Sequence, residues 1–167
     1  KSIITNGEMK KKLVSQTFSP SMDIQISSNF ERQMFESFDR DSDKVNNAFN
    51  EFYKTGNYLF SPSVIDNFKN IYEASSINDD ETLDTISKIF KKYNYISDPH
   101  TATGLKLLMD KNDDETWVSL ACAHPAKFNT AVEKAISKAI DIPIELSNLF
   151  DKKEKMTILP KSIQEVK

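Results

Sequence analysis

A chain of 167 residues with 22 Lys and Arg against 25 Asp and Glu has a net charge of −3. It therefore carries neither the basic footprint of a nucleic-acid binder nor a polybasic face for an anionic membrane. Three glycines, Gly7, Gly56 and Gly104, exclude a glycine-rich phosphate loop, and the single cysteine, Cys122, excludes an internal disulfide, which makes a reducing, cytoplasmic compartment the expectation.

No run of residues approaches the roughly 18 apolar positions of a membrane span, and the start lacks the apolar region of a signal peptide. The length suits one ordinary domain or a piece of a larger one. A first residue of Lys1 rather than Met agrees with a fragment.

In chain order, residues 1–27 read as an extended entry. Asn6-Gly7 suits a type I′ hairpin turn between Ile3-Ile4 and Leu13-Val14, although the charge run from Glu8 to Lys12 suits a surface excursion equally. Ser28 with Glu31 three positions on predicts a capping box, followed by the apolar stripe Phe30, Met34, Phe35 and Phe38. Val45, Ala48, Phe49, Phe52 and Tyr53 predict a second helix that stops at Gly56.

Ser61-Pro62 opens a third helix buried through Ile65, Phe68, Ile71 and Tyr72. Acidic residues from Asp79 to Glu81 and basic Lys91-Lys92 bracket a fourth, with Leu83, Ile86, Ile89 and Phe90 on its inner face. Residues 28–92 are thus expected to be a helical segment, and residues 93–167 to alternate strand and helix. In the latter, Thr101 to Met109 and Lys127 to Ile140 read as helices and Trp117 to Ala121 as a buried strand. Beyond these, a short helix around Leu146 and Leu149, a strand at Thr157 to Leu159 and a frayed turn or short helix from Pro160 to Lys167 complete the chain.

The order strand, helix, strand, helix favours a parallel pair, with Asp98, His100, Cys122 and His124 at the carboxyl ends of its strands, where such sheets bind ligands. A metal site is not expected, because the two histidines lie on different turns and no Cys-x-x-Cys or His-x-x-x-His spacing occurs. Read by their residue types alone, Asp98 before Pro99 is a turn former, His100 a locally bonded residue of a helix start, and Cys122 a small buried residue at a strand end.

Three segments carry a family resemblance. Ser19-Pro20-Ser21-Met22-Asp23-Ile24-Gln25, continuing through Ser27 to Arg32, then Asp98-Pro99-His100-Thr101-Ala102, then Ala123-His124-Pro125-Ala126-Lys127-Phe128, resemble in content and order the signatures of the threonine synthase family. These are pyridoxal-phosphate enzymes of the tryptophan-synthase-β type. The resemblance covers essentially the whole chain, as the family's C-terminal portion.

It implies a helix-rich α/β fold, the C-terminal part of a fold-type II large domain with a helical insertion and few short strands. It further implies that the intact enzyme converts O-phospho-L-homoserine and water to L-threonine and phosphate as a monomer. Cys122, where relatives usually carry Thr, would face the pyridine nitrogen, with Asp98 and His100 also on the cofactor side. Ser28, Asn29, Arg32, His124 and Lys127 would meet the substrate's phosphate or carboxylate.

A thiol is a weaker donor and acceptor than a hydroxyl, so the Cys122 contact is weakened in this chain. The family's Schiff-base lysine and its phosphate loop belong to the missing N-terminal part of the polypeptide. Lys127 belongs to a motif whose lysine is not that residue, so the fragment alone is expected to be inactive. Two rival readings are a non-catalytic helical interaction module built on residues 28–92, and a small hydrolase using His100 or His124 with Asp98. The hydrolase lacks an identifiable nucleophile.

Overall fold

The computed structural model describes residues 1–112, 114–149, 151–160 and 162–166. It is helix-rich with one short sheet. A first helix α1, Ser2–Asn6, ends on Gly7, and strand β1, Glu8–Lys10, follows directly. Gly7 has φ +67, and its carbonyl accepts from Phe60 N–H at 2.9 Å. A Cβ there would stand 2.1 Å from Ile65 Cδ1, so both the backbone and the packing require glycine.

The hairpin expected at Asn6-Gly7 does not form. The strand pairs instead with β2, Asn57–Leu59, antiparallel and with Met9 opposite Tyr58. Ile3 and Ile4 are drawn into a helix because they pack against an apolar core formed by later residues.

The four helices expected between residues 28 and 92 are present: α2, Phe30–Ser37; α3, Ser42–Thr55; α4, Pro62–Ile71; and α5, Asp79–Tyr93. Their caps differ from expectation in an instructive way. No capping box forms at Ser28, since the first turn begins one residue later at Asn29, whose side chain makes no cap bond. The box forms at Asn78 instead, where Glu81 N–H donates to Asn78 Oδ1 at 2.9 Å and Asn78 N–H donates to Glu81 Oε2 at 2.8 Å. Asp41 caps α3 by accepting from the N–H groups of Asp43 and Lys44, and Gly56 closes that helix in the left-handed region.

Met34, Phe52, Phe60, Val64 and Phe68 form the centre of one apolar core, closed by Met9, Phe38, Val45 and Ala48. Phe60 is its hub, with ring centroids 5.0 Å from Tyr58 and 5.3 Å from Phe68. Ile71 and Tyr72 are exposed, contrary to the periodic reading. The chain turns extended at Tyr72, whose hydroxyl reaches out to Gln33 Oε1 at 2.6 Å.

Helix α5 packs on α6, Pro99–Met109, and on α7, Asn129–Ile136, around Ile86, Ile89, Ala102, Ala131 and Val132. The Lys127 helix is shorter than expected: it starts as a 3-10 turn over Pro125–Phe128 and ends at Ser137, which takes φ 53. Two further short helices, α8 at Ile144–Ser147 and α9 at Ile163–Val166, follow.

The expected parallel pair is absent among the described residues. Residues 117–121 and 157–159 are irregular, with Val118 80% and Leu120 81% exposed. An apolar run becomes a strand only against another strand edge, and no described segment offers one to these residues. No helix among the described residues is long and apolar enough to cross a membrane.

Candidate functional site

The site begins with the N-terminus of α6. Asp98 is its N-cap, extended at ψ 163, and Pro99 occupies the first helical position with its fixed φ. Asp98 Oδ1 accepts from His100 N–H at 2.9 Å and from Thr101 N–H at 3.3 Å. This is why the order Asp, Pro, His, Thr folds locally: a carboxylate caps orphan N–H groups at the positive end of the helix dipole.

The same carboxylate then reaches outside its helix. Oδ2 accepts from the Thr101 hydroxyl and from Ala123 N–H, the latter at 3.2 Å. Burial alone would push the Asp98 carboxyl up, but the bonds from Thr101, Ala123 and His100 outweigh it and hold the group below its ordinary value. Asp98 is accordingly a buried carboxylate that stays ionised.

His100 ties in the third segment. Its Nε2 accepts from Ser21 N–H at 3.2 Å. A backbone N–H can only donate, so Nε2 is unprotonated and the proton sits on Nδ1, 3.2 Å from Asp98 Oδ1. The ring lies 4.6 Å from that of Phe128. Ser21 belongs to a 3-10 turn, Pro20–Met22, which Asp23 braces by accepting from Thr17 N–H and hydroxyl at 2.8 Å each.

Asp98, His100 and the backbone of Cys122 are thus gathered in one place. The structure does this without the strands from which the sequence argued it. Asp98 is 1% and His100 6% exposed, and the polar atoms of both side chains are engaged internally. Neither offers an open face to a ligand, and His100 has no free nitrogen with which to act as a hydrolytic base.

Cys122 is different: its N–H is held by the Thr101 hydroxyl at 2.8 Å, while its thiol is exposed and makes only a long contact, 3.7 Å, to Leu120 O. His124 caps the 3-10 turn through Nδ1, which accepts from Ala126 N–H at 3.2 Å, and its side chain and that of Lys127 are exposed beside it.

The remaining candidates lie elsewhere. Ser28 and Arg32 line a cleft of about 520 Å³ between α2 and α3, together with the carboxylates of Glu31 and Glu36. Asn29 lines a separate cleft of about 400 Å³ with Lys1, Phe30 and Tyr72. Neither cleft includes Asp98, His100, Cys122, His124 or Lys127. Among the described residues there is no group of three or more His, Cys, Asp or Glu able to hold a metal ion.

Thr101 is the residue whose role composition and spacing passed over. The one available signal was a hydroxyl three residues after an Asp N-cap, where it can turn back onto the carboxylate.

Known proteins share both the sequence and the fold of this arrangement. The family described as threonine synthase, C-terminal, matches residues 101–167. The threonine synthase of Pseudomonas aeruginosa is 32% identical over 166 residues, and that of Schizosaccharomyces pombe 36% over 158. Those alignments cover 98% and 81% of this chain and 35% and 31% of the relatives.

The crystal structure of pyridoxal-phosphate-bound threonine synthase from Brucella melitensis superposes with a TM-score of 0.84 at 36% identity, over 98% of this chain and 36% of that one. The yeast threonine synthase structure gives 0.80 at 32% identity, over 91% and 35%. In sequence and in fold this chain is similar to the C-terminal portion of threonine synthases. It spans about a third of the length of these relatives.

The donor set here suits one edge of the cofactor named in the Brucella structure. An exposed thiol on a held backbone is a weak hydrogen-bonding group that is free to meet a heteroaromatic edge. A cradle for the phosphate is not provided by the three glycines: Gly7 and Gly56 cap helices α1 and α3, and Gly104 lies inside α6 against Ser119.

Proposed function

We propose that this chain is the cofactor-side wall of a threonine synthase, an enzyme that converts O-phospho-L-homoserine and water to L-threonine and phosphate with pyridoxal phosphate. The observation that carries it is the meeting of the three signature segments at the Asp98 carboxylate and His100 ring, with the Cys122 thiol left exposed beside them. The match to a pyridoxal-phosphate-bound threonine synthase over nearly the whole chain supports the same reading.

When bound, pyridoxal phosphate supplies an electron sink that makes the α-proton of an attached amino acid acidic. Cys122 would meet its ring nitrogen as a weak hydrogen-bonding partner in place of an acidic side chain. Asp98 and His100 serve the cofactor indirectly, by holding the turns that carry Ser21 and Cys122. His124 and Lys127, exposed on the turn after Cys122, face the substrate's anionic groups, and Ser28, Asn29 and Arg32 form a second, separate group of candidate substrate ligands.

Residues 1–167 act as one incomplete domain, with segments 1–27, 28–92 and 93–167. They provide neither the Schiff-base lysine motif nor the phosphate loop, both contributed by the rest of the polypeptide, in a monomeric cytoplasmic enzyme. Two measurements test this. The isolated chain should yield no borohydride-reducible adduct with pyridoxal phosphate at a specific lysine and no threonine from phosphohomoserine. In the full-length protein, Cys122→Thr should keep or raise turnover while Cys122→Asp diverts substrate into side products; a Cys122→Asp enzyme with parental product ratios and cofactor absorption would defeat the assignment.

A further inference from the structure

Four threonine hydroxyls in α5 and α6 offer a controlled comparison. Thr82, Thr85 and Thr103 donate to carbonyls of their own helix or its cap, Asn78 O, Glu81 O and His100 O, at 2.7 to 2.9 Å. This is the ordinary fate of a helical threonine. Thr101 does otherwise. Its hydroxyl donates to the N-cap carboxylate of Asp98, and its oxygen accepts from Cys122 N–H, 21 residues further along. The next N–H, that of Ala123, goes to the same carboxylate.

A Cα–Cβ direction is set by the two peptide planes that flank it. For Cys122 these are the plane ending in its own N–H and the plane ending in Ala123 N–H. Both are held, one by a hydroxyl and one by a carboxylate, and those two acceptors are bonded to each other. Residues 117–121 leading into the turn are neither helix nor strand, so no regular hydrogen-bond ladder sets the turn, and this clamp fixes the Cα–Cβ direction from which the thiol projects. Its parts are buried and cannot be exchanged for water: Thr101 is 4% exposed and Asp98 1%.

We propose that Thr101 is a positioning residue: its hydroxyl, backed by the Asp98 carboxylate, clamps the backbone on both sides of Cys122 and aims the thiol. The catalytic consequence rests on the proposal that Cys122 meets the cofactor's ring nitrogen; the clamp itself does not.

The test uses the full-length protein loaded with pyridoxal phosphate, as Thr101→Val and Thr101→Ser. Valine keeps the shape and removes the hydroxyl; serine restores it. In Thr101→Val, amide hydrogen exchange at Cys122 should accelerate on the order of tenfold relative to the parent. The visible absorption of the bound cofactor should change its pH dependence, and kcat should fall by roughly tenfold to a hundredfold with KM little moved, as small displacements near reacting atoms do. Thr101→Ser should recover most of each loss.

Unchanged exchange at Cys122 in Thr101→Val overturns the clamp. A lowered melting temperature with parental absorption, kcat and KM, in a protein whose Cys122→Ala variant does shift the cofactor absorption, overturns the positioning role, because the Thr101 bond is then purely structural. Should Thr101→Val not load cofactor, exchange in Thr101→Ser against Thr101→Ala decides the same question. Cys122→Ala separates the two ideas: parental cofactor absorption in that variant defeats the ring-nitrogen assignment, while the clamp is still judged by amide exchange.

Discussion

Two regions of this molecule are held together by different physics. Residues 3 to 68 close on an apolar core of phenylalanine, methionine and valine. The region built on α5, α6 and α7 has smaller apolar contacts and, at the start of α6, the buried polar residues Ser97, Asp98, His100 and Thr101. Apolar burial is non-directional and roughly proportional to area. Hydrogen bonds to a buried carboxylate are directional and costly to leave unmade. The first kind of core suits a scaffold, and the second suits a place where one thiol and one turn must be aimed.

The sharpest break in that comparison comes from Phe68→Ala. Phe68 is fully buried at the centre of the aromatic cluster, and its truncation should cost about 3–5 kcal/mol. Because no titrating group is involved, the cost measured by urea unfolding should be the same at neutral and at acid pH.

Asp98→Asn should cost slightly less, roughly 2–4 kcal/mol at neutral pH, since it loses the ionised acceptor of several buried donors. Its pH dependence is the contrast. The Asp98 carboxyl is held below its ordinary value in the fold, so the unfolded chain takes up the proton first as pH falls. The stability it contributes is complete above the unfolded value near about 4 and is lost as pH drops through the lower folded value. The gap between parent and Asp98→Asn should therefore narrow below about pH 4; a gap constant with pH would show that the carboxylate's charge is irrelevant to the hub.

Gly7→Ala should cost about 1–2 kcal/mol, from a left-handed backbone and a Cβ driven into Ile65, whose side chain yields part of the clash. A melting temperature equal to the parent's would mean that the entry segment is not anchored to the apolar core. The smallest effect belongs to Asn78→Ala, about 1 kcal/mol for loss of the capping box. It should also speed amide exchange in the first turn of α5, while the first turn of α2, which has no such box, is unmoved by Ser28→Ala.

The Ser28 and Asn78 pair shows how much was legible in the sequence. Both stretches present a capping residue with Glu three positions on, and only the second forms the box. The helices themselves were readable because their apolar spacing, Gly56 and the acidic and basic ends of α5 are local statements. Ile71 and Tyr72 continue the period of α4 but meet no core, since periodicity reports a face and not what lies opposite it. The strand expected at Trp117 to Ala121 failed for the same reason.

By itself the sequence determined four helices in order and three signature segments that resemble those of the C-terminal portion of threonine synthases. Only the tertiary structure decided that Asp98 meets Ala123, that Thr101 meets Cys122, and that His100 accepts from Ser21, across separations of 25, 21 and 79 residues. Local order repeats with the period of a helix or a strand and so leaves a pattern in the chain. A bond between a side chain and a distant backbone N–H has no period, and it exists only once packing has brought the two segments together.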